Sequence, residues 1–164
     1  MGKSNKLLYI TQAAIIAAVY VLLTVLPVLN AISYGPVQFR LSEALTVLPF
    51  IWPAAVPGVA LGCLIANMFS PFPWDMLIGT FATLLAALCT HWIGKRKIKG
   101  ALYLAALPPV IINALIIGAE LTVFTHIPFI YNFLSVGVGQ LTVCFLLGIP
   151  LTKIAARLKI FDLK

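Results

Sequence analysis

The sequence contains few charged residues and very few acidic ones. Of its 164 residues, 62% are hydrophobic, 9% are charged and only four are Asp or Glu. A soluble domain usually carries about 25% charged residues, so this chain has too few to cover a water-exposed exterior. The composition therefore excludes an ordinary soluble protein and indicates a multi-pass protein of the cell membrane. The length predicts a single domain over 1–164.

Sequence motifs of enzymes and metal sites are also absent. No GxxxxGK[ST] phosphate-binding loop occurs, so we expect ATP hydrolysis, if it is needed, to come from other subunits. No HExxH or GxSxG motif occurs either, so we expect no enzymatic activity. The three cysteines, Cys63, Cys89 and Cys144, form no CxxC pair or His/Cys cluster. We expect them to be small buried side chains and expect no metal or cofactor.

Long apolar runs dominate what is present. A membrane-spanning helix needs about 20 apolar residues, and the runs 7–29, 76–94, 101–125 and 131–152 are of that size. The first run is longer than the roughly 7–15 apolar residues of a signal peptide, so we interpret it as a span. The run 41–69 contains Pro53 and Pro57 near its middle, and proline favours a helix boundary. We predict two helices there, about 41–52 and 54–69, which either span the membrane or are re-entrant.

The positions of the basic residues favour two helices in that run. Basic residues collect before the first apolar run, in the loop 95–99 and after the last run, and positive loop charges mark the cytoplasmic side. With six helices, ten of the eleven basic residues fall on one side. We therefore predict an all-α bundle of six transmembrane helices with both termini cytoplasmic.

Polar residues within the apolar runs predict a binding pocket near the outer surface. Ionisable groups at membrane depth are costly and mark function by default. Asn113 and Glu120 are seven residues apart and share a helix face, while aromatic residues nearby suit a planar ligand. Some members of this set have alternative roles: Arg40 and Glu43 as an interfacial pair, Asp75 as a helix cap, or the aromatic residues as interfacial anchors. The predicted substrate-binding residues are Arg40, Glu43, Asn67, Trp74, Asp75, Asn113, Glu120, Tyr131, Asn132 and Gln140.

Small residues on the first helix form two AxxxA patterns. One pattern is Ala13 and Ala17, and the other is Ala14 and Ala18. Such spacing lets helix backbones approach closely. It indicates either packing within the bundle or a docking face for a partner helix.

The sequence also resembles a known family. The resemblance is carried by the segment 37–49 (VQFRLSEALTVLP), by 57–58 (PG), by 61–67 (LGCLIAN) and by 73–75 (PWD). These segments resemble the QueT family of queuosine-precursor transporters, which are substrate-binding (S) components of energy-coupling-factor transporters. The resemblance implies six helices, an outer pocket covered by the loop 30–40, and docking of the first-helix alanines on a membrane-embedded coupling protein. Two cytoplasmic ATPases would supply the energy.

The ligand implied by the resemblance is a 7-deazaguanine base with an aminomethyl or cyano group. A carboxylate accepts the two adjacent N–H donors of the guanine-like edge, which assigns that edge to Glu120 or Glu43. Amide contacts fall to Asn67, Asn113 or Gln140, and stacking to Trp74 or Tyr131. The alternatives are an S component for a vitamin such as thiamine or riboflavin, a self-sufficient oligomeric small transporter, and a membrane enzyme using Glu43, Asp75 or Glu120.

Overall fold

The described part of the chain is entirely helical between its turns. The computed structural model describes residues 3–26, 33, 39–96 and 98–158, with side chains from residue 5 onward. Within these ranges there is no β-strand, which confirms the prediction of an all-α protein. Most of the segment 30–40, expected to cover the pocket, lies outside the described residues.

Four helices are long and apolar enough to cross a membrane. The first is α1 (Lys3–Val25) and the second is α4 (Asp75–Gly94). The third joins α5 (Ala101–Ala105) to α6 (Leu107–Thr125). The fourth joins α7 (Phe129–Val143), a π-helical segment (Cys144–Gly148) and α8 (Ile149–Leu158). These four have 20–30 residues, which at about 1.5 Å per residue is at least about 30 Å, the thickness of the hydrocarbon core.

The ends of these helices differ from the predicted bounds. The fourth long helix begins at Phe129 and continues to Leu158, whereas the prediction was 131–152. The first ends at Val25 rather than at 29, and residues 27–29 lie outside the described ones. The basic residues Lys153 and Arg157 were predicted to follow the last span, but they belong to the last helical turns. A helix can extend beyond the apolar core because its backbone remains hydrogen-bonded in the headgroup region.

The run 41–69 forms a hairpin of two short helices. The segment α2 (Leu41–Phe50) is a 3₁₀ helix rather than the α-helix expected over 41–52, and α3 (Ala55–Asn67) is shorter than the expected 54–69. Each is about 20 Å long from its helical rise, which is less than the hydrocarbon thickness of about 30 Å. The number of full crossings therefore stays a prediction, while four long helices and two short ones are present in the described residues.

The 3₁₀ helix α2 lies in the centre of the bundle. All residues from Ser42 to Pro49 are buried, and α2 packs against each of the other described helices. Pro49 lacks a backbone N–H and disfavours an α-helical interior. A 3₁₀ helix is also more tightly wound than an α-helix, which suits a central position between surrounding helices.

The π-helical segment packs directly on α2. A methyl group on Gly148 would lie 2.7 Å from Val47 Cγ2 and 3.0 Å from the Ala44 carbonyl oxygen, so only glycine permits this approach. Cys144 Sγ lies 3.9 Å from Thr46 Oγ1 and 3.7 Å from the Glu43 carbonyl oxygen. The 3₁₀ helix α2 and the π-helical segment therefore pack against each other inside the bundle, and Glu43 is one of the α2 residues that contact Cys144.

Helices α1 and α3 approach closely through small residues. A methyl group on Gly62 would lie 2.6 Å from Tyr20 Cβ and 3.0 Å from the Ala17 carbonyl oxygen. Ala13 and Ala17 are buried in this contact. Ala14 and Ala18 lie on the exposed side of the helix. The two AxxxA patterns thus have different surroundings, one inside the bundle and one on its surface.

Several contacts place the basic segments at one end of the bundle. Tyr9 Oη donates to the Pro53 carbonyl oxygen at 3.4 Å, and His91 Nδ1 lies 3.0 Å from the Pro49 carbonyl oxygen. Lys153 Nζ, on α8, donates to Tyr103 Oη, on α5, at 3.1 Å. The start of α1, the end of α4, the start of α5 and α8 therefore lie at the same end, which we call the basic end.

Candidate functional site

A buried ion pair forms one part of a polar cluster, at the level where α2 begins and α3 ends. The guanidinium Nη2 of Arg40 lies 2.7 Å from Oδ2 of Asp75, and Arg40 Nη1 donates to Asn67 Oδ1 at 3.3 Å. Asn67 Nδ2 donates to the Asp75 backbone carbonyl oxygen at 2.9 Å. All three side chains are buried. The hairpin α2–α3 and the start of α4 are thereby joined through side chains.

The position of Asp75 explains why its carboxylate points into the bundle. Asp75 is the first residue of α4, where a negative charge is favoured by the helix dipole, but the helix has no side-chain cap. Gly79, one turn later, leaves room for the cluster. A methyl group there would lie 2.5 Å from Asp75 Oδ1 and 2.6 Å from Asn67 Nδ2. Asp75 thus serves the cluster rather than capping the helix.

Glu43 lies deeper in the bundle and is held by three protein side chains. The Tyr20 hydroxyl group donates to its Oε1, Asn113 Nδ2 donates to its Oε2 at 3.2 Å, and Gln140 forms a further side-chain hydrogen bond. Glu43 is 1% exposed. A buried carboxylate must be hydrogen-bonded to be tolerated, and Glu43 has partners on both oxygens. Its arrangement is that of a structural anchor joining α1, α2, α6 and α7.

Glu120 has a different environment, although it lies on the same helix face as Asn113. It is 6% exposed, and neither of its carboxyl oxygens has a hydrogen-bond partner among the residues described. Asp75 Oδ1 is likewise buried without a partner in that part of the chain. The charges of Arg40 and Asp75 act on the Glu120 carboxyl group. Within the described ranges, three carboxyl oxygens are therefore buried and unused.

The cluster as a whole has more acidic than basic groups. It contains the three carboxyl groups of Glu43, Asp75 and Glu120, together with the guanidinium group of Arg40. Isolated charges in a low-dielectric interior are costly. A bound molecule that carries several N–H donors, or a positive charge, would compensate both the unused oxygens and the excess of carboxyl groups over basic groups.

Some of the predicted site residues do not join this cluster. Trp74 is 57% exposed and Tyr131 is 65% exposed, so neither side chain forms a wall of the cluster; both positions suit interfacial anchors. Asn132 Nδ2 donates to Thr122 Oγ1 at 3.1 Å and to the Ile127 carbonyl oxygen at 3.2 Å. Asn132 therefore stabilises the turn between α6 and α7.

Three residues that the sequence analysis did not select contribute to the cluster or support it. Tyr20 holds Glu43 through its hydroxyl group. Cys63 Sγ accepts hydrogen bonds from Asn67 Nδ2 and from Thr83 Oγ1, both at 3.3 Å. The available signal for Tyr20 was a polar hydroxyl group in the middle of an otherwise apolar helix. No group of three or more metal-ligating side chains is found among the described residues.

Comparisons with known proteins agree on one family. The family model described as "QueT transporter" matches residues 10–157. A curated relative, "Queuosine precursor transporter QueT" from Lactococcus lactis subsp. cremoris (strain MG1363), is 45% identical over 84 residues. That match covers 51% of this chain and 49% of the relative, so the aligned part spans about half the length of the relative. No solved structure matches.

Proposed function

Because the chain belongs to the QueT transporter family, we propose that it is the membrane-embedded substrate-binding component of an energy-coupling-factor importer. Its ligand would be a queuosine precursor, a 7-deazaguanine base, as the name of the curated relative suggests. The observation that carries the proposal is the buried cluster with unused carboxyl oxygens on Glu120 and Asp75. The cluster lies away from the basic end, which the positive-inside rule assigns to the cytoplasm, so the site would face outward.

The hydrogen-bonding pattern favours Glu120 over Glu43 for the guanine-like edge of the base. That edge presents two adjacent N–H donors, which a carboxylate can accept together. Both oxygens of Glu43 already accept protein hydrogen bonds. Both oxygens of Glu120 are buried and without a partner in the described residues. Binding at Glu120 would therefore break no hydrogen bond among the residues that the structure describes.

The charge of the cluster favours the aminomethyl form of the base over the cyano form. An aminomethyl group is a cation with three N–H donors, as in a lysine ammonium group. In the described part of the chain, Asp75 pairs with Arg40 through Oδ2, while its Oδ1 has no hydrogen-bond partner. A cation there would offset the excess of carboxyl groups, whereas a neutral cyano group would only accept hydrogen bonds.

The surface of α1 supports a choice between the two alanine pairs for docking on a coupling protein. Ala13 and Ala17 are buried against α3, while Ala14 and Ala18 are exposed. We therefore assign the docking face to Ala14 and Ala18. The coupling protein would in turn contact two cytoplasmic ATPases, since the sequence has no phosphate-binding loop of its own.

Isothermal titration of the full chain in detergent tests the ligand. The aminomethyl and cyano deazaguanines are compared with guanine, thiamine and riboflavin. We expect the aminomethyl base to bind most tightly, and Asp75→Asn to reduce its advantage over the cyano base. Trp74→Phe, at an exposed aromatic position, serves as the control and should bind as the unmodified protein does. Tight binding of a vitamin alone would contradict the proposal that the ligand is a 7-deazaguanine base.

Reconstitution tests the coupling. Liposomes that contain this chain alone should bind the base without accumulating it, and uptake should require the coupling protein, the ATPases and ATP. Uptake by the chain alone would instead support the alternative of a self-sufficient transporter.

A further inference from the structure

An apolar groove of about 560 Å³ lies on the membrane-facing side of α4, α5 and α6, away from the polar cluster. Its lining is apolar except near the loop 95–99, where Arg96 forms part of it. The side chains of Trp92, Leu104 and Ile111 in this lining are about half exposed. The groove is therefore open to the side of the bundle, where the surrounding medium is lipid.

The groove exists because the third long helix is broken beside α4. Pro108 and Pro109 have no backbone N–H, so they cannot bond to the carbonyl groups of the preceding turn. Thr90 Oγ1, on α4, donates to the free Ala105 carbonyl oxygen at 2.8 Å. The break at Ala106 is thus fixed by a side chain of the neighbouring helix. The groove is a built feature of the α4–α6 contact.

The mouth of the groove is positively charged. The Arg96 guanidinium carbon lies 4.0 Å from the centroid of the Trp92 ring, which holds the side chain at the mouth by a cation–π contact. Lys95 and Lys99 are exposed on either side. Among the described residues the ion pair is Arg40–Asp75, so no described acidic side chain pairs with Arg96.

We propose that this groove binds one anionic phospholipid, with an acyl chain in the groove and the phosphate group on Arg96. From Cys89 to Arg96 the groove runs about 10 Å along α4, within the roughly 15 Å of one leaflet, half of the hydrocarbon core. A chain lying there would keep its headgroup at the level of the basic loop. Basic pockets between helices on the cytoplasmic side suit anionic headgroups.

Native mass spectrometry of the full chain in detergent tests the proposal. Phosphatidylglycerol and phosphatidylcholine with identical acyl chains are titrated separately, and the bound lipid is counted. We expect at least about a five-fold preference for phosphatidylglycerol, the effect of one basic residue near an anionic lipid. Arg96→Gln should lower the preference by about that factor, and Arg96→Lys should lower it less. Arg157→Gln removes an exposed positive charge at the same end, outside the groove, and should leave the preference unchanged.

A second pair of variants tests the position of the acyl chain. Ile111→Trp places a larger side chain in the groove and should lower binding of both lipids. Leu115→Trp makes the same kind of change one turn along α6, at an exposed position outside the groove, and should not. Circular dichroism and gel filtration check that each variant is folded.

The outcomes that would overturn the proposal are specific. Equal binding of the two lipids by the unmodified protein would contradict the proposed preference for an anionic lipid. Displacement of phosphatidylglycerol by inorganic phosphate at similar concentrations would indicate a site for free anions. A dimer that disappears in Ile111→Trp would show that a second copy occupies the groove. Loss of the preference in Arg157→Gln and Arg96→Gln alike would indicate a general surface-charge effect.

Discussion

The same substitution should affect a different property at each glutamate of the polar cluster. Glu43→Gln should lower stability, and Glu120→Gln should weaken ligand binding. Glu43 accepts hydrogen bonds from Tyr20 and Asn113, and a glutamine has only one acceptor oxygen. Glu43→Gln therefore leaves one buried donor without its charged acceptor. Hydrogen bonds to charged groups contribute about 1.5–3 kcal/mol, so we expect the free energy of unfolding to fall by about that amount.

Glu120→Gln should preserve stability and weaken ligand binding. No described protein donor loses an acceptor, because neither Glu120 oxygen has a partner there. The base, however, loses one of its two charge-assisted hydrogen bonds, and its second N–H group faces an amide donor. A loss of about 1.5–3 kcal/mol corresponds to roughly a 10- to 150-fold increase in the dissociation constant.

Two measurements on each variant test this contrast. Unfolding is followed by titration with sodium dodecyl sulfate in mixed micelles, and binding of the aminomethyl base by calorimetry. The reasoning would be refuted if Glu120→Gln lost as much stability as Glu43→Gln, because Glu120 would then have protein partners. It would also fail if Glu43→Gln lost more affinity than Glu120→Gln, because the two roles would be reversed.

Three further predictions concern the packing of the bundle and its docking face. Gly62→Ala should lower the free energy of unfolding by about 1–3 kcal/mol through overpacking, while Gly137→Ala, whose added methyl group meets only an ordinary contact at 3.5 Å, should not; detergent unfolding of both variants measures the difference. Thr90→Val removes the donor to the carbonyl group at the helix break and should cost about 1 kcal/mol, seen as a lower midpoint of thermal unfolding. Ala14→Trp should leave ligand binding intact but prevent co-purification with the coupling protein. Retained co-purification would show that this face of α1 is not part of the interface.

The sequence was sufficient for the long helices and for the level of the polar cluster. Four apolar runs of span length appear as four long helices, because hydropathy depends on composition and not on side-chain direction. Asn113 and Glu120 share a helix face, as their seven-residue spacing predicts, and both are buried. The polar residues that meet, Arg40, Asn67 and Asp75, lie next to turns, where the alternation of apolar runs already places them at one level.

Other features depend on packing that the sequence does not encode locally. The segment α2 is apolar almost throughout, so no periodicity distinguishes a 3₁₀ helix from an α-helix. The two alanine pairs of α1 have identical spacing, and only the approach of Gly58 and Gly62 decides which pair is buried. Trp74 suits both an aromatic wall and an interfacial anchor by its residue type, and its exposure depends on the direction of the chain after α3.

The unused carboxyl oxygens connect the stability of this protein to its ligand. A buried carboxyl group without hydrogen bonds lowers stability, and neither Glu120 nor Asp75 Oδ1 has a partner among the described residues. A ligand that supplies donors would offset this cost. A ligand that binds only the folded state raises its stability by about 2.7 kcal/mol at a concentration one hundred times the dissociation constant. The groups that are costly to bury are therefore the ones through which ligand binding would stabilise the protein. By contrast, Glu43, which is already satisfied by protein side chains, keeps the helices in place whether or not a ligand is bound.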